Sequence, residues 1–220
     1  MAVIGAALFQ LSDLQAAHLT CASRPPTIVG TEGDDVLMGT DGPDVIAGLA
    51  GDDLIYGLEG DDYLCPESDH LAEGDDVVYA GPGNDFLSGL FGRDTVYGGP
   101  GNDDVFGGID PDRIFGGEGD DFLVGSDQDD RMWGGPGDDW VSAHRGDDVL
   151  DGGDGNDNMF GAWDNDVLIG GAGRDTMEGD SGDDRIDGRD GESGNDSLKG
   201  GAADDRCFSD PGDSEVGCES

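Results

Sequence analysis

Positive charge is the scarcest thing in this sequence. Its 220 residues hold only 10 Lys and Arg against 52 Asp and Glu, a formal net charge of −42. Such a chain repels nucleic acid and anionic membrane surfaces and draws cations. No apolar run approaches the length a membrane span needs. Histidine is nearly absent: His18, His70 and His144 belong to no H-E-x-x-H motif, and no G-x-S-x-G elbow occurs. His70, in the first insertion, and His144, in a turn, are expected to be solvated. The four cysteines, Cys21, Cys65, Cys207 and Cys218, form no C-x-x-C pair, which argues against zinc and for two disulfides in an oxidising compartment. The opening MAVIGAALFQ is apolar but lacks a basic flank, so residues 1–27 read as a signal-like or capping segment. With 43 glycines and so much charge, an aperiodic chain would be disordered.

The chain is periodic, however. GTEGDDVLM (30–38), GTDGPDVIA (39–47), GLAGDDLIY (48–56) and GLEGDDYLC (57–65) follow one another at nine residues. After PESDH (66–70) the frame resumes at Leu71 and runs to Asp187. A three-residue insertion, 188–190, precedes the last two copies, 191–199 and 200–208. In all 19 copies position six is Asp and position eight is apolar; position one is Gly in 16 and position four in 15. The invariant acids are Asp35, Asp44, Asp53, Asp62, Asp76, Asp85, Asp94, Asp103, Asp112, Asp121, Asp130, Asp139, Asp148, Asp157, Asp166, Asp175, Asp184, Asp196 and Asp205.

The spacing predicts an all-β fold. Positions seven to nine form a minimal strand with its middle side chain inward, and positions one to six form a glycine-dependent turn. Two turns and two strands make a coil of about 18 residues, and coils stacked at about 4.8 Å give two parallel sheets, a parallel β-roll or β-solenoid. Ile28 falls in register as one more inward residue, so the roll is expected over 28–208. Odd copies then share one edge and even copies the other, each with a column of aspartates. Unit charges about 4.8 Å apart repel by roughly 0.9 kcal/mol even in water. A hard cation between successive turns, bound by carboxylates and carbonyls, would neutralise them; calcium tolerates this flexible oxygen geometry better than magnesium.

The repeat resembles the glycine-rich calcium-binding nonapeptide of RTX proteins, G-G-x-G-x-D-x-U-x. The resemblance covers residues 30 to 208 and implies a β-roll with several calcium ions in its turns. It also implies that the nineteen position-six aspartates are metal ligands. CASRPPTIVGTEGDD and the two cysteine pairs look like secreted bacterial calcium-binding proteins built wholly from this repeat. The acylated pore-forming, protease and lipase regions of other RTX proteins have no counterpart.

Departures from the pattern cluster on the odd copies. Position four loses its glycine at Asp110, Gln128, Asp164 and Ala203, and position one at Leu71 and Ala143; Ala80 is the comparable change among even copies. The even column is therefore expected to hold calcium more completely, and the odd column to be patchy between Asp112 and Asp166. Position nine of the odd copies carries Met38, Tyr56, Tyr79, Tyr97, Phe115 and Trp133, with Arg113 and Arg131 two residues away. These rings either steady the sheet by stacking on each other or form a surface for a protein or polysaccharide.

Position suggests that Cys21 pairs with Cys65 and Cys207 with Cys218, the second bridge folding the acidic segment 209–220 over the open end of the core. Paired carboxylates, such as Asp52 with Asp53 and Asp138 with Asp139, recur in many of the turns, so no unique acid and base for glycoside hydrolysis stands out. The reading is a secreted, extracellular, non-enzymatic calcium-binding protein that folds on binding the ion. The alternatives are an adhesion or carbohydrate-binding protein using the face of Tyr56, Tyr79, Tyr97, Phe115 and Trp133, or an RTX appendage of a larger exported enzyme or toxin. The initial Met and the cysteines near both ends favour a complete chain over an appendage.

Overall fold

Two short strands and two glycine turns cannot bury their own apolar side chains, so each coil needs the next. The computed structural model describes residues 24–66, 74–192 and 195–219. It is a right-to-the-pattern parallel β-solenoid of about ten coils, and no helix occurs among the described residues. Strands from the even copies, with Ile28–Val29 and Ser214–Val216 at the two ends, make an eleven-stranded parallel sheet, and strands from odd copies a ten-stranded one. Registers are offset by one coil throughout: Arg113 lies beside Arg131, Ile114 beside Met132 and Phe115 beside Trp133. Position-eight side chains from Leu37 to Leu198 fill the space between the sheets, with Ile28 and Cys207 packed at the two ends.

The strands are longer than the three residues the spacing predicts. Early ones are that short, as in Val36–Met38, but from Thr95–Pro100 onward many run for six, as in Arg113–Glu118. Positions one to three then belong to the strand, leaving positions four to six as the turn. The physical reason is that amides at positions one and two find carbonyls on the next coil, so the ladder extends past position nine. In the early coils Leu49 N donates in the same way to Pro66 O at 2.7 Å.

Both insertions sit inside turns rather than before them. The Pro66 carbonyl lies against Gly48 just as the Gly57 carbonyl lies against Gly39, so Pro66 occupies the position-one slot expected for Leu71. Leu71 itself lies outside the described residues. Likewise Asp196 approaches Gly188, not Gly191, so 188–190 belong to an enlarged turn. Position one is held by the strand ladder, whereas the outer rim of a turn meets only solvent and can swell.

The ends are finished differently. At the C-terminal end Ser214–Val216 pairs with Ser197–Lys199, and Glu215 takes the inward slot after Leu198. A charge there stops further stacking. Cys207 and Cys218 are disulfide-bonded, which holds this segment against the last coil. Cys65 is also disulfide-bonded; Cys21, its expected partner, lies outside the described residues, as do His18 and His70. His144 is buried, only 8% exposed, instead of solvated: it sits at position two, between in-register neighbours Ser126 and Ala162.

Rings line both faces. On the ten-stranded sheet Tyr56, Tyr79, Tyr97, Phe115 and Trp133 form one continuous stack, with centroids 5.3, 4.7, 4.7 and 4.5 Å apart and planes within 9° of parallel. A second set, including Tyr63, Phe86, Phe106 and Phe122, runs along the other sheet, stacked at Tyr63 and Phe86 and tilted beyond. It draws on positions seven and nine together, so a reading confined to position nine misses it.

Candidate metal centre

Asp at position six closes each turn, and its side chain points back across that turn. One oxygen, Oδ1, accepts the backbone amide of the position-six aspartate one coil earlier: Asp103 N to Asp121 Oδ1 and Asp121 N to Asp139 Oδ1 are both 2.8 Å. This link repeats along both edges, from Asp35 N to Asp53 Oδ1 through Asp184 N to Asp205 Oδ1. It crosses both insertions, as in Asp53 N to Asp76 Oδ1 at 2.6 Å. The structure thus aligns all the sequence-identified aspartates in two columns.

The other oxygen is different. From Asp53 to Asp205, every position-six Oδ2 is buried without a hydrogen-bond partner. A buried acceptor in that state costs about 1–3 kcal/mol, and more when charged. Asp35 and Asp44 are set apart: Oδ2 of Asp35 accepts the Thr31 amide and hydroxyl, and Oδ2 of Asp44 those of Thr40. The first coil satisfies its carboxylates with hydroxyls.

Position one explains its glycine here. A Cβ on Gly98 would lie 2.3 Å from Asp103 Oδ2 and 2.6 Å from the Gly116 carbonyl oxygen; Gly134 repeats this with Asp139 and Gly152. The missing side chain leaves a cradle between a carboxylate oxygen and a main-chain oxygen. From Asp53 to Asp196 burial pushes these carboxyls up, helped by neighbouring carboxylates and opposed by the amide bonded to Oδ1. They reach about 9 at Asp94, Asp112, Asp130 and Asp166, all on the odd edge. Asp103, Asp139 and Asp196 on the even edge are raised to about 6. Among the described residues no three His, Cys, Asp or Glu side chains converge on one point. An ion in these turns would therefore take much of its shell from backbone carbonyls, as a hard oxygen-seeking cation can.

Position five carries a second ladder that the reading of position six overlooks. Its side chain accepts the amide one coil later, in the opposite sense: Asn102 N to Asn84 Oδ1 at 2.9 Å, Asp138 N to Asp120 Oδ1 at 3.0 Å. The signal was available, since position five is Asp or Asn in 15 of 19 copies. Asn serves there as well as Asp, so a hydrogen-bond acceptor suffices. Where Arg93 cannot accept, the next residue in the column is Pro111, which has no amide to donate.

One carboxylate beyond the repeats joins the even column. Asp213 Oδ1 accepts the Asn195 and Asp196 amides at 3.1 and 3.3 Å, and its Oδ2 accepts Asp210 N at 2.7 Å. It ends the column with both oxygens engaged. Glu215 in the apolar slot of DSEV hides it from the motif.

The two edges are not alike. Among the described residues, non-glycine residues with left-handed backbone fall at Leu49, Leu90, Ser126, Gln128, His144, Ala162, Asp164, Asp180 and Ala203 on the odd edge, and at Leu58 alone on the even edge. Even-edge turns keep glycine where a side chain would collide: a Cβ on Gly101 would fall 1.5 Å from the Gly83 carbonyl oxygen. Odd turns carrying Gln128 or Asp164 cannot retain that approach unchanged.

A parallel β-roll with an aspartate column on each edge defines the class of this protein. The family model of the RTX calcium-binding nonapeptide repeat, four copies in length, matches 29–64, 72–105, 97–132, 106–141, 133–168, 160–192 and 190–216, and the chain belongs to this family. A search of curated proteins gave no match.

Proposed function

We propose that this is a secreted, non-catalytic protein whose roll folds by taking calcium between successive turns, with the position-six aspartates as ligands. The observation that carries the reading is the split between two oxygens. Accepting one amide needs only Asn, as position five demonstrates, yet position six is Asp in all 19 copies. The invariance therefore belongs to the second oxygen, which from Asp53 to Asp205 is buried, partnerless and lodged beside a carbonyl, and which at Asp35 and Asp44 is held by threonine donors. Calcium supplies the positive charge that these oxygens lack. Residues 28–208 form the binding unit, 209–220 its acidic cap and 1–27 a leader or cap. The disulfides support an extracellular site of action. Calorimetric titration with calcium and with magnesium tests the metal: several calcium ions per chain should bind, with magnesium much weaker, and equal binding of both would refute the assignment.

The alternative use of the ten-stranded face as a sugar platform is weakened by the stack itself. Rings lying 4.5–5.3 Å apart and nearly parallel cover each other's faces, leaving edges to solvent. Stiffening the sheet is the role this geometry supports. Replacing Tyr79, Tyr97 and Trp133 with Ser should lower thermal stability while leaving calcium-dependent folding intact.

A further inference from the structure

Position three on the even edge holds short or polar turn residues such as Pro82, Pro100, Glu118 and Pro136. On the odd edge it reads Asp127, Arg145, Trp163 and Ser181 in successive coils, in register along the eleven-stranded sheet. The Arg145 guanidinium is paired with Asp127 at 3.5 Å and lies 5.5 Å from the Trp163 ring centroid, covering one indole face. In the next coil the row drops to Ser181 and Gly182. The other face of Trp163 therefore fronts an open groove of about 550 Å³, lined by Arg145, Trp163, Asp164, Asn165, Ser181 and Gly182. Ala162 and Asp164, on either side of Trp163, both hold left-handed backbone with φ of 86° and 72°. Most odd turns, like that of Ala162, carry a non-glycine residue at its position, but most turns place glycine where Asp164 stands, and a side chain in that region costs about 1–2 kcal/mol. Strain of this kind is characteristic of binding sites.

From this placement we infer that the groove beside Trp163 binds a pyranose ring of a neutral glycan. An indole face takes the C–H face of a sugar, while an exposed carboxylate and a hydroxyl accept and donate to its hydroxyl groups. Asp164 and Ser181 are both exposed and line the groove. Asn165 is already committed: its Nδ2 donates to Asp147 and its Oδ1 accepts the Asp183 amide. A cationic ligand is the other chemistry that Trp and Asp can serve. Arg145 disfavours it, because a guanidinium on the far face opposes the pull of the ring on a second cation.

The test uses the full chain in saturating calcium, with circular dichroism confirming that each variant is folded. Methyl glycosides of glucose, galactose and mannose, and tetramethylammonium as the cationic probe, are titrated and followed by saturation-transfer NMR. At least one glycoside should bind at about 1 mM, what one ring contact to a monosaccharide supports. Binding should weaken by about tenfold or more in Trp163→Ala and in Asp164→Gly. The second variant restores the repeat glycine and so should fold at least as well as the parent. Ser181→Phe, which covers the open indole face, serves if Trp163→Ala misfolds. Absence of binding by every glycoside, undiminished binding in the folded variants, or a preference for tetramethylammonium would overturn the proposal. Loss of calcium-dependent folding in the parent would instead count against the calcium reading.

Discussion

At the scale of single residues, the two oxygens of one carboxylate do different work. Asp121 Oδ1 accepts the Asp103 amide, whereas its Oδ2 is buried without a partner. Asp121→Asn keeps the first function and removes the charge. It should lower the number of bound calcium ions by one or two per chain, measured by calorimetry. In chelator above about pH 8, where the Asp121 carboxyl is ionised, the same variant should be the more stable one, by about 1–3 kcal/mol, since a buried unpaired charge has gone. Asp121→Ala should lose the ions without that gain. Glycine offers a paired test. Gly137→Ala puts a Cβ 1.9 Å from the Gly119 carbonyl oxygen at a φ of 149°, and should destabilise the calcium form by about 2–4 kcal/mol in thermal melts. Gln128→Gly, on the other edge, should stabilise it by about 1 kcal/mol. Asp121 was legible as the repeat's constant acid, and Gly137 and Gln128 as a turn glycine and its replacement, from the recurrence of the nonapeptide alone. The Oδ1 ladder was not, because a hydrogen bond between coils leaves no trace in the choice of Asp over Asn.

At the scale of the element, the strand is where sequence and structure diverge most. Alternation at positions seven to nine fixed the inward residue, and every position-eight side chain from Leu37 to Leu198 lies in the core. Strand length was not readable, since it depends on amides at positions one and two meeting carbonyls of the next coil, in residues that look like turn glycines. The same blindness misplaced the insertions, because Pro66 resembles no position-one glycine yet its carbonyl does the same job. Ring stacking follows from register: residues opposite each other in adjacent parallel strands are close enough to touch. A ring in the middle of the stack loses two partners, an end ring one. Tyr97→Ser should therefore lower stability by about 1–3 kcal/mol, and Tyr56→Ser by about half as much, at about 0.5–1.5 kcal/mol per pair in calcium-saturated melts.

For the whole molecule, the columns of raised carboxyls make folding depend on what neutralises them. Their folded values, about 6 to about 9, lie above the ordinary Asp value of 3.8. The folded form thus binds protons more tightly than the unfolded one. Proton-linked stability of the metal-free roll is full below about pH 4 and is lost as pH rises through 6 to 9. Chelated protein should gain sheet signal on acidification from pH 9 towards 5, and calcium uptake at pH 7 should release protons, detectable in unbuffered solution. Edge asymmetry belongs to this scale too, and only part of it was foreseen: missing position-four glycines marked the odd edge, while the left-handed residues at position two appeared only in the coil. A calcium-bound crystal structure should contain a fuller even column than odd. The most direct test of the central claim is circular dichroism of the intact, disulfide-bonded chain at pH 7.5, in excess chelator and then through a calcium titration. Little sheet in chelator and a cooperative gain of the roll with calcium are expected; the same sheet content in both would refute calcium-driven folding.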